Sequence, residues 1–379
     1  MKMNPSRLRT VALLLCAAII FLLGSRWAAP AADNGPEATE YAEYERCRVV
    51  QILTDSTQQF PVDDGGWRGD QLMLVEVLTG RYAGRLLQVY NYVGPLYGGP
   101  LYEGDHAVVT ISTYENGTYT GTIFEYDRVV PLAVLVGLFF LAAILVGGKT
   151  GAKSLVGLLV TLLCLFKLLI PMLMKGAPTL LSVFLVCSYI AVVSLTILGG
   201  LQKKTVCAML GTIAGTAIAL LFGLLAQYLT RIDGLRVDDV EPLLQLRQTG
   251  QMVGLRGLLV GGVVISALGA VMDVTMGIAS AMWEVHSVDP ELSTKALFRS
   301  GMNIGQDMVG TMSNTLILAF LGNSLTLILY LYSMGLQTHQ LLSSAYVSLE
   351  VIGSISCSIG VILSIPITAL GTAWILKRK

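Results

Sequence analysis

Apolar and polar positions divide the chain into three stretches. An apolar run at 11–24 follows the basic residues Lys2, Arg7 and Arg9. Next come five short segments, 47–53, 72–78, 85–91, 106–112 and 118–126, in which β-branched and aromatic residues alternate with polar ones, the pattern of half-buried strands. From residue 128 onward the alternation gives way to long apolar runs near 130–147, 154–174, 179–199, 206–229, 255–282, 307–333 and 347–376. A hydrocarbon core takes roughly 20 apolar residues per helix, so with the N-terminal run about eight spans are expected. The predicted fold class is a polytopic α-helical membrane protein with a small extracytoplasmic all-β, OB-like domain between spans 1 and 2. Its parts are an N-terminal signal anchor at 1–28, the β domain at 41–127, and a membrane domain at 128–379 with about seven helices.

Local signals refine this outline. Small residues from Ala28 to Ala32 make the first run either a cleavable signal peptide or a retained anchor, and the anchor is expected because the rest of the chain stays in the membrane. Asn116-Gly117 reads as a hairpin turn, which also accounts for the glycosylation-like triplet ending at Thr118. Glu103-Gly104-Asp105 is a second turn. The loop from Asp63 to Asp70 is acidic, but lacks a regular cation-ligand spacing and reads as a solvated turn. The aromatic, Gly- and Pro-rich loop from Tyr90 to Tyr102 lies either at the membrane region or over its own barrel. Asp289-Pro290-Glu291 has the order of a helix start, so a short interfacial helix is expected between the sixth and seventh spans.

Composition narrows the function classes. Hydrophobic residues make up 54% of the 379 and charged ones 13%, against about 25% charged in soluble domains. Net charge is zero, which gives no electrostatic footprint for nucleic acid. Five of the six cysteines, Cys16, Cys164, Cys187, Cys207 and Cys357, fall in apolar runs. Cys47 is alone in the β stretch, so no internal disulfide is expected there. His106, His286 and His339 are far apart, and neither a metal site nor a cofactor is expected. Basic residues set the orientation. With the N-terminus inside, Lys149, Lys153, Lys203, Lys204, Lys295, Arg299 and the tail Lys377-Arg378-Lys379 fall on the cytoplasmic side. Lys175 falls outside, as do Arg231, Arg236 and Arg247, offset by Asp233, Asp238, Asp239 and Glu241. This places both termini in the cytoplasm, the β domain outside, and the protein in the plasma membrane.

Candidate chemistry lies within the spans. A carboxylate at mid-membrane costs about 2.5–3.5 kcal/mol on insertion scales, so it is expected to face protein or water. The sixth span carries Ser266, Gly269, Asp273, Gly277, Ser280 and Glu284, spaced to form one helical face. The seventh carries Asn303, Asp307, Thr311 and Asn314, again on one face. Consecutive spans are antiparallel, so Asp273 is expected near Asn314 or Thr311, with Glu284, Asn303 and Asp307 at the inner mouth. The functional reading is a cation or proton site; the alternative is helix–helix packing by small and hydroxylated residues. Lys167, one turn before Pro171, either snorkels outward or serves Asp273 as a counter-ion. Glu350 is expected to be solvated, and Gly353, Ser356, Gly360 and Ser364 read as a packing face. Gly269-Ala-Val-Met-Asp273-Val-Thr-Met and the segment from Gly305 to Met312 share a short Gly, Asp, Met and Thr pattern, either an internal repeat or chance.

Several of these motifs together resemble the YibE/F-like family. They are Gly269-Ala-Val-Met-Asp273-Val and Ser300-Gly-Met-Asn303-Ile-Gly-Gln-Asp307-Met-Val-Gly-Thr-Met-Ser-Asn314-Thr-Leu, with Gly80-Arg-Tyr-Ala-Gly84-Arg, Gly104-Asp105, Ile170-Pro171 and Ile365-Pro366 in support. Gln306 departs from the basic residue expected there, which weakens any essential charge pair at that position. The resemblance implies a bacterial multi-spanning membrane protein with an exported N-terminal domain, and no particular activity. The expected function is a transporter or permease component, with the bilayer and an inorganic cation or proton as partners. The alternative is a non-transporting scaffold or assembly factor that binds a protein partner through the outer domain. An intramembrane hydrolase, with Asp273 and Asp307 sharing a proton, lacks a supporting motif, and the protein is expected not to be an enzyme.

Overall fold

The computed structural model describes residues 13–15, 17–19, 21–22, 41–60, 66–113, 119–232 and 257–377. The Asn116-Gly117 turn, Asp63 to Gly65, and the acidic and basic residues between 233 and 247 lie outside the described residues. The chain divides into two compact units, Ala32–Ala142 and the set Met1–Ala31 with Ala143–Lys379.

The first unit is a small β-barrel-like domain. Its strands are β1 (Tyr41–Asp55), β2 (Gln58–Phe60), β3 (Gly66–Val77), β4 (Leu86–Val93), β5 (His106–Thr113) and β6 (Tyr119–Tyr126). The sheet order is β1-β5-β6-β4-β3-β2, and a further β1–β3 pairing closes five of the strands on themselves. β1 makes closure possible because it is long: its first half pairs with β5 and its second half with β3. Register shifts between Val49 and Gln51 and between Ile52 and Thr54 mark irregularities that let it bend. β4 and β6 pair in parallel, the other neighbours antiparallel.

Alternation fills the interior with Cys47, Val49, Met73, Val75, Val77, Leu87, Val89, Ala107, Val109 and Ile111. Burial pushes the Cys47 thiol up to about 12, so it is an inert core residue. At one end of the barrel, polar side chains are buried in pairs. The Gln71 amide donates to Asp55 Oδ2 (3.0 Å) and to the Leu101 carbonyl (3.1 Å). Asn91 donates to Gln71 Oε1 (2.9 Å), which also accepts from the Leu101 N–H (2.9 Å). These bonds hold the loop from Tyr90 to Tyr102 onto its own barrel, with Leu101 in the core. The expected acidic loop is corrected in part: residues 66–70 belong to β3, and Asp70 accepts a 2.6 Å hydrogen bond from Ser56. Cross-strand pairing overrides the Gly-rich, turn-like composition there.

The second unit is helical, and its first helix starts at Val129, within the last residues of the first unit. Among the described residues five helices are long and apolar enough to cross a membrane, or six if one bent pair counts as a single span. They are α1 (Val129–Met174), α2 (Thr179–Gly199), α3 (Lys203–Thr230), α4 (Leu258–Val288), α8 (Ala345–Lys377), and the pair α5 (Thr294–Asn323) with α6 (Leu325–Ser333), bent by 58°. The short α7 (Thr338–Leu342) precedes α8. α1 is interrupted at Gly148, with φ 53 and ψ −132, where the backbone of Gly151 comes against that of Ala143. α1 is therefore two helical segments rather than one continuous helix. Further on, Leu165–Leu169 form a π turn just before Pro171, with the Ile170 N–H bonded to the Leu165 carbonyl. Proline cannot donate the next helical bond, and the wider turn takes up the change of register.

The expected interfacial helix is absent. α4 runs on to Val288, Asp289 ends it, and the N-cap of α5 is Ser293, whose Oγ accepts from the Ala296 N–H at 3.2 Å. Two capping signals compete here, and the serine four residues after the aspartate wins. The residues assigned to a linker become the first turns of α5.

The heart of this unit is α3, α4 and α8. Val263, Ala267, Val271, Val274, Ile278 and Met282 of α4 meet Val361, Ile365, Ala369 and Ala373 of α8. Small residues let α3 approach α8 backbone to backbone. A methyl group on Gly215 would sit 2.8 Å from Ser364 Cβ, and one on Gly360 would sit 2.8 Å from Ala219 Cβ. Gly353, Ser356, Gly360 and Ser364 are accordingly a buried face. The Lys377 ammonium donates to the Pro290 carbonyl (2.8 Å), joining the end of α8 to the α4–α5 turn.

Candidate functional site

α4 sorts its side chains by helical period. Val260, Val264, Ala267, Val271, Val274 and Ile278 are buried, so Ser266, Gly269 and Asp273 fall on the opposite, exposed face. Gly277 and Ser280 are half-buried and Glu284 is exposed. α5 does the same. Gly301 and Gly305 are buried and Met308, Met312 and Leu316 pack inward, while Asn303, Gln306, Asp307, Gly310, Thr311, Asn314 and Thr315 are exposed.

Both polar stripes thus share faces as the spacing requires, and both lie at the surface of the single chain. The two helices meet where Met282 abuts Gly301, Ile278 abuts Gly305, and Met308 abuts Gly277. That register sets Asp273 level with Thr311, and Asp307 about one turn, about 6 Å, along the axes. Asp273 is the midpoint of α4, and Asp307 is close to the midpoint of α5. α5 begins at Thr294 rather than near residue 307, so Asn303 and Asp307 lie within the helix rather than at its start.

Among the described residues, the side chains of Asp273, Asn303, Asp307 and Asn314 have no hydrogen-bond or ion-pair partner. Asp273 thus makes no hydrogen bond to Asn314 or Thr311. The Thr311 hydroxyl donates to the Met308 carbonyl (3.0 Å), and Thr315 donates to the Thr311 carbonyl (2.8 Å). Lys167 is exposed in the π turn and forms no ion pair with Asp273. Among the described residues no group of three or more His, Cys, Asp and Glu is placed to hold a metal ion.

A family model described as YibE/F-like protein matches residues 135–378. The chain belongs to the YibE/F-like family. The matched stretch holds both polar stripes and the α3–α8 seam, while the strands lie before it. No curated protein matches the chain, and no solved structure does.

The YibE/F-like membrane unit also holds hydroxyl groups that sequence reasoning passed over. Thr212 and Thr275 share a 2.8 Å hydrogen bond in the buried junction of α3 and α4. Thr212 also bonds to the Ala208 carbonyl (2.8 Å), and Thr216 to the Thr212 carbonyl (2.9 Å). Their signal was available: Gly211, Gly215, Ala219 and Gly223 repeat every four residues along α3, with threonine beside each of the first two. Such small-residue repeats mark close helix approach. On the β domain, Tyr90 and Tyr92 project from β4, their rings stacked with centroids 6.2 Å apart, and Tyr97 lies 6.2 Å beyond. Leu96 at the tip of that loop is 92% exposed.

Proposed function

We propose that this membrane protein is a transporter or permease component whose cation or proton site is formed by Asp273 with Asp307, Thr311 and Asn314. The observation that carries this reading is the pair of mid-helix carboxylates without a counter-charge. A helix that only packs has no use for an ionised group there, and an isolated carboxylate in the bilayer core is costly. A bound cation or a proton removes that cost. Thr311 lies level with Asp273 and supplies a hydroxyl oxygen, and Asn303 and Asn314 add amide oxygens along the same face. Glu284 stands toward the α4–α5 turn as an entry group. Lys167 has no part as a counter-ion in this reading; it snorkels.

The architecture goes with eight spans. The break at Gly148 divides α1 into two of them, the bent α5–α6 pair makes one, and the N-terminal run supplies an anchor. The Tyr189 hydroxyl donates to the Ala17 carbonyl (2.6 Å), which supports a retained anchor packed on α2. The five-strand closure with a parallel β4–β6 pair is the reason to read the β domain as OB-like. The basic residues near span ends support a β domain outside and both termini in the cytoplasm at the plasma membrane.

The test is ion-dependent flux in proteoliposomes. Asp273→Asn is expected to lower it at least tenfold with the folded yield unchanged; unaltered flux removes Asp273 from the mechanism. A second reading, a non-transporting scaffold, is favoured by the exposed Tyr90, Tyr92, Tyr97 and Leu96 surface, which is suited to a protein partner. Replacing the three tyrosines with serine would then abolish partner capture, and the unmutated protein would show no ion-dependent flux.

A further inference from the structure

The outer face of α4 and α5 is an anomaly for a single copy in a bilayer. The other long spans turn mainly apolar side chains outward: Leu158, Leu162 and Phe166 on α1, Leu181 and Leu185 on α2, Leu210 and Leu225 on α3, Leu363 and Leu370 on α8. From Asn303 to Thr315, before its outward face turns apolar at Ile317, Leu318 and Leu321, α5 instead turns Asn303, Gln306, Asp307, Thr311, Asn314 and Thr315 outward, and α4 adds Ser266 and Asp273. Lipid cannot hydrogen-bond these groups, so something else covers them.

Glycine narrows what that is. Glycines on the inner faces of these helices are filled: Gly261 by Val183, Gly301 by Met282 and Ala369, Gly305 by Ile365 and Ile278. Gly262, Gly269 and Gly310 interleave with the polar side chains, and a methyl group on any of them would meet nothing within 4 Å. The face therefore has the notches that permit close helix approach and no helix in them. Its chemistry is also two-sided. Asp273 and Asp307 only accept hydrogen bonds, whereas the amides of Asn303, Gln306 and Asn314 and the hydroxyl of Ser266 have donors to give; the Thr311 and Thr315 hydroxyls already donate within α5 and are left as acceptors.

We propose that a second copy of this chain covers the face, α4 and α5 of one copy against α4 and α5 of the other across a two-fold axis. A face that carries both acceptors and donors is complementary to itself, which an isologous contact requires. Every copy in the membrane presents the same uncovered groups, and a second copy meets that need at equal stoichiometry. The carboxylates of one copy then receive the donors they lack from the other, so the polar site is complete only in the pair. This inference stands apart from the transport reading, since a scaffold would need the same cover.

Single-cysteine cross-linking in native membranes tests it. Within the described residues the native cysteines are all buried, so the parental chain serves as background. Thr311→Cys, treated with a short bis-maleimide, is expected to give a covalent species of twice the 40.6 kDa chain mass, at least tenfold more than Leu163→Cys on the apolar face of α1. Equal cross-linking at both sites overturns the proposal, as does a conjugate of another mass. Absence of cross-linking at Thr311→Cys also overturns it, whether or not a membrane-impermeant maleimide labels the site. Native mass spectrometry of the unmutated chain from nanodiscs is the second measurement: two copies per particle are expected, and one copy overturns the inference. Loss of the flux result leaves both readouts untouched.

Discussion

Along the α3–α8 seam, a methyl group on Gly215 or Gly360 would sit 2.8 Å from a facing carbon; on the outer face of α4 and α5, Gly262, Gly269 and Gly310 have nothing near them. The two regions draw on the same small and hydroxylated residues. In the seam they bring backbones together, and Thr212 and Thr275 satisfy one another in the gap. On the outer face they are joined by carboxylates and amides that satisfy nothing within the chain. The difference separates packing from function more sharply than residue type does. Small residues whose neighbours are present are structural; the same residues beside unpaired carboxylates mark a surface that awaits something.

The largest test of that contrast is a bulky residue in each region. Gly360→Leu must push α3 away from α8, and the yield of monodisperse folded protein after detergent extraction is expected to fall at least tenfold. Gly269→Leu has open space within the single chain and is expected to keep the yield of folded chain while the two-copy species falls. Equal losses would break the comparison.

Two carboxylates give the next contrast. Asp127 is buried, bonded by Arg46 (2.6 Å) and by the Val129 N–H (3.0 Å). Desolvation pushes its pKa up, but the Val129 N–H and the Arg46 guanidinium outweigh that and hold the carboxyl below its ordinary range. Asp127→Asn is expected to cost the β domain about 1.5–3 kcal/mol in denaturant unfolding. In the unmutated chain the same stabilisation is present above the ordinary carboxylate range and is lost as pH falls through the lowered value. Asp273→Asn, with no bond to lose within the chain, is expected to change the stability of the single chain by less than about 0.5 kcal/mol. A large drop there would show Asp273 to be structural.

A smaller effect is expected within the seam. A double-mutant cycle of Thr212→Val and Thr275→Val should return a coupling of about 0.6–2 kcal/mol; zero coupling would mean that backbone approach alone holds the junction. Smallest of all, Gly269→Ala and Gly310→Ala should stabilise the single chain by about 0.4–1 kcal/mol through lost unfolded-state freedom. Gly215→Ala should destabilise it, and matching signs at all three would erase the distinction.

Much of this was legible in the sequence, and what was not has physical causes. Alternation located five of the six strands, because inward and outward positions on a barrel differ in polarity. β2 escaped because three exposed residues carry no period. The start of α5 was misplaced because the polar stretch from Thr294 to Gln306 interrupts the apolar run, while the helix takes its start from the Ser293 cap. Helical spacing correctly gathered Asp273 with Ser266, and Asp307 with Asn314, onto single faces. It could not say which way those faces point, since spacing fixes side chains relative to one another and leaves the helix free to rotate about its axis. The packing of Ile278 against Gly305 and Met282 against Gly301 fixes that rotation.

The bond from Lys377 to the Pro290 carbonyl gives the experimenter a handle. A donor fluorophore attached behind the last helix would sit beside the turn that links the two polar helices, so its distance to an acceptor on the α2–α3 loop, near Lys203, would report movement of α4 and α5 without a probe being placed on either. In a pair of copies, two such donors would also read each other, and one optical signal would carry both gating and assembly.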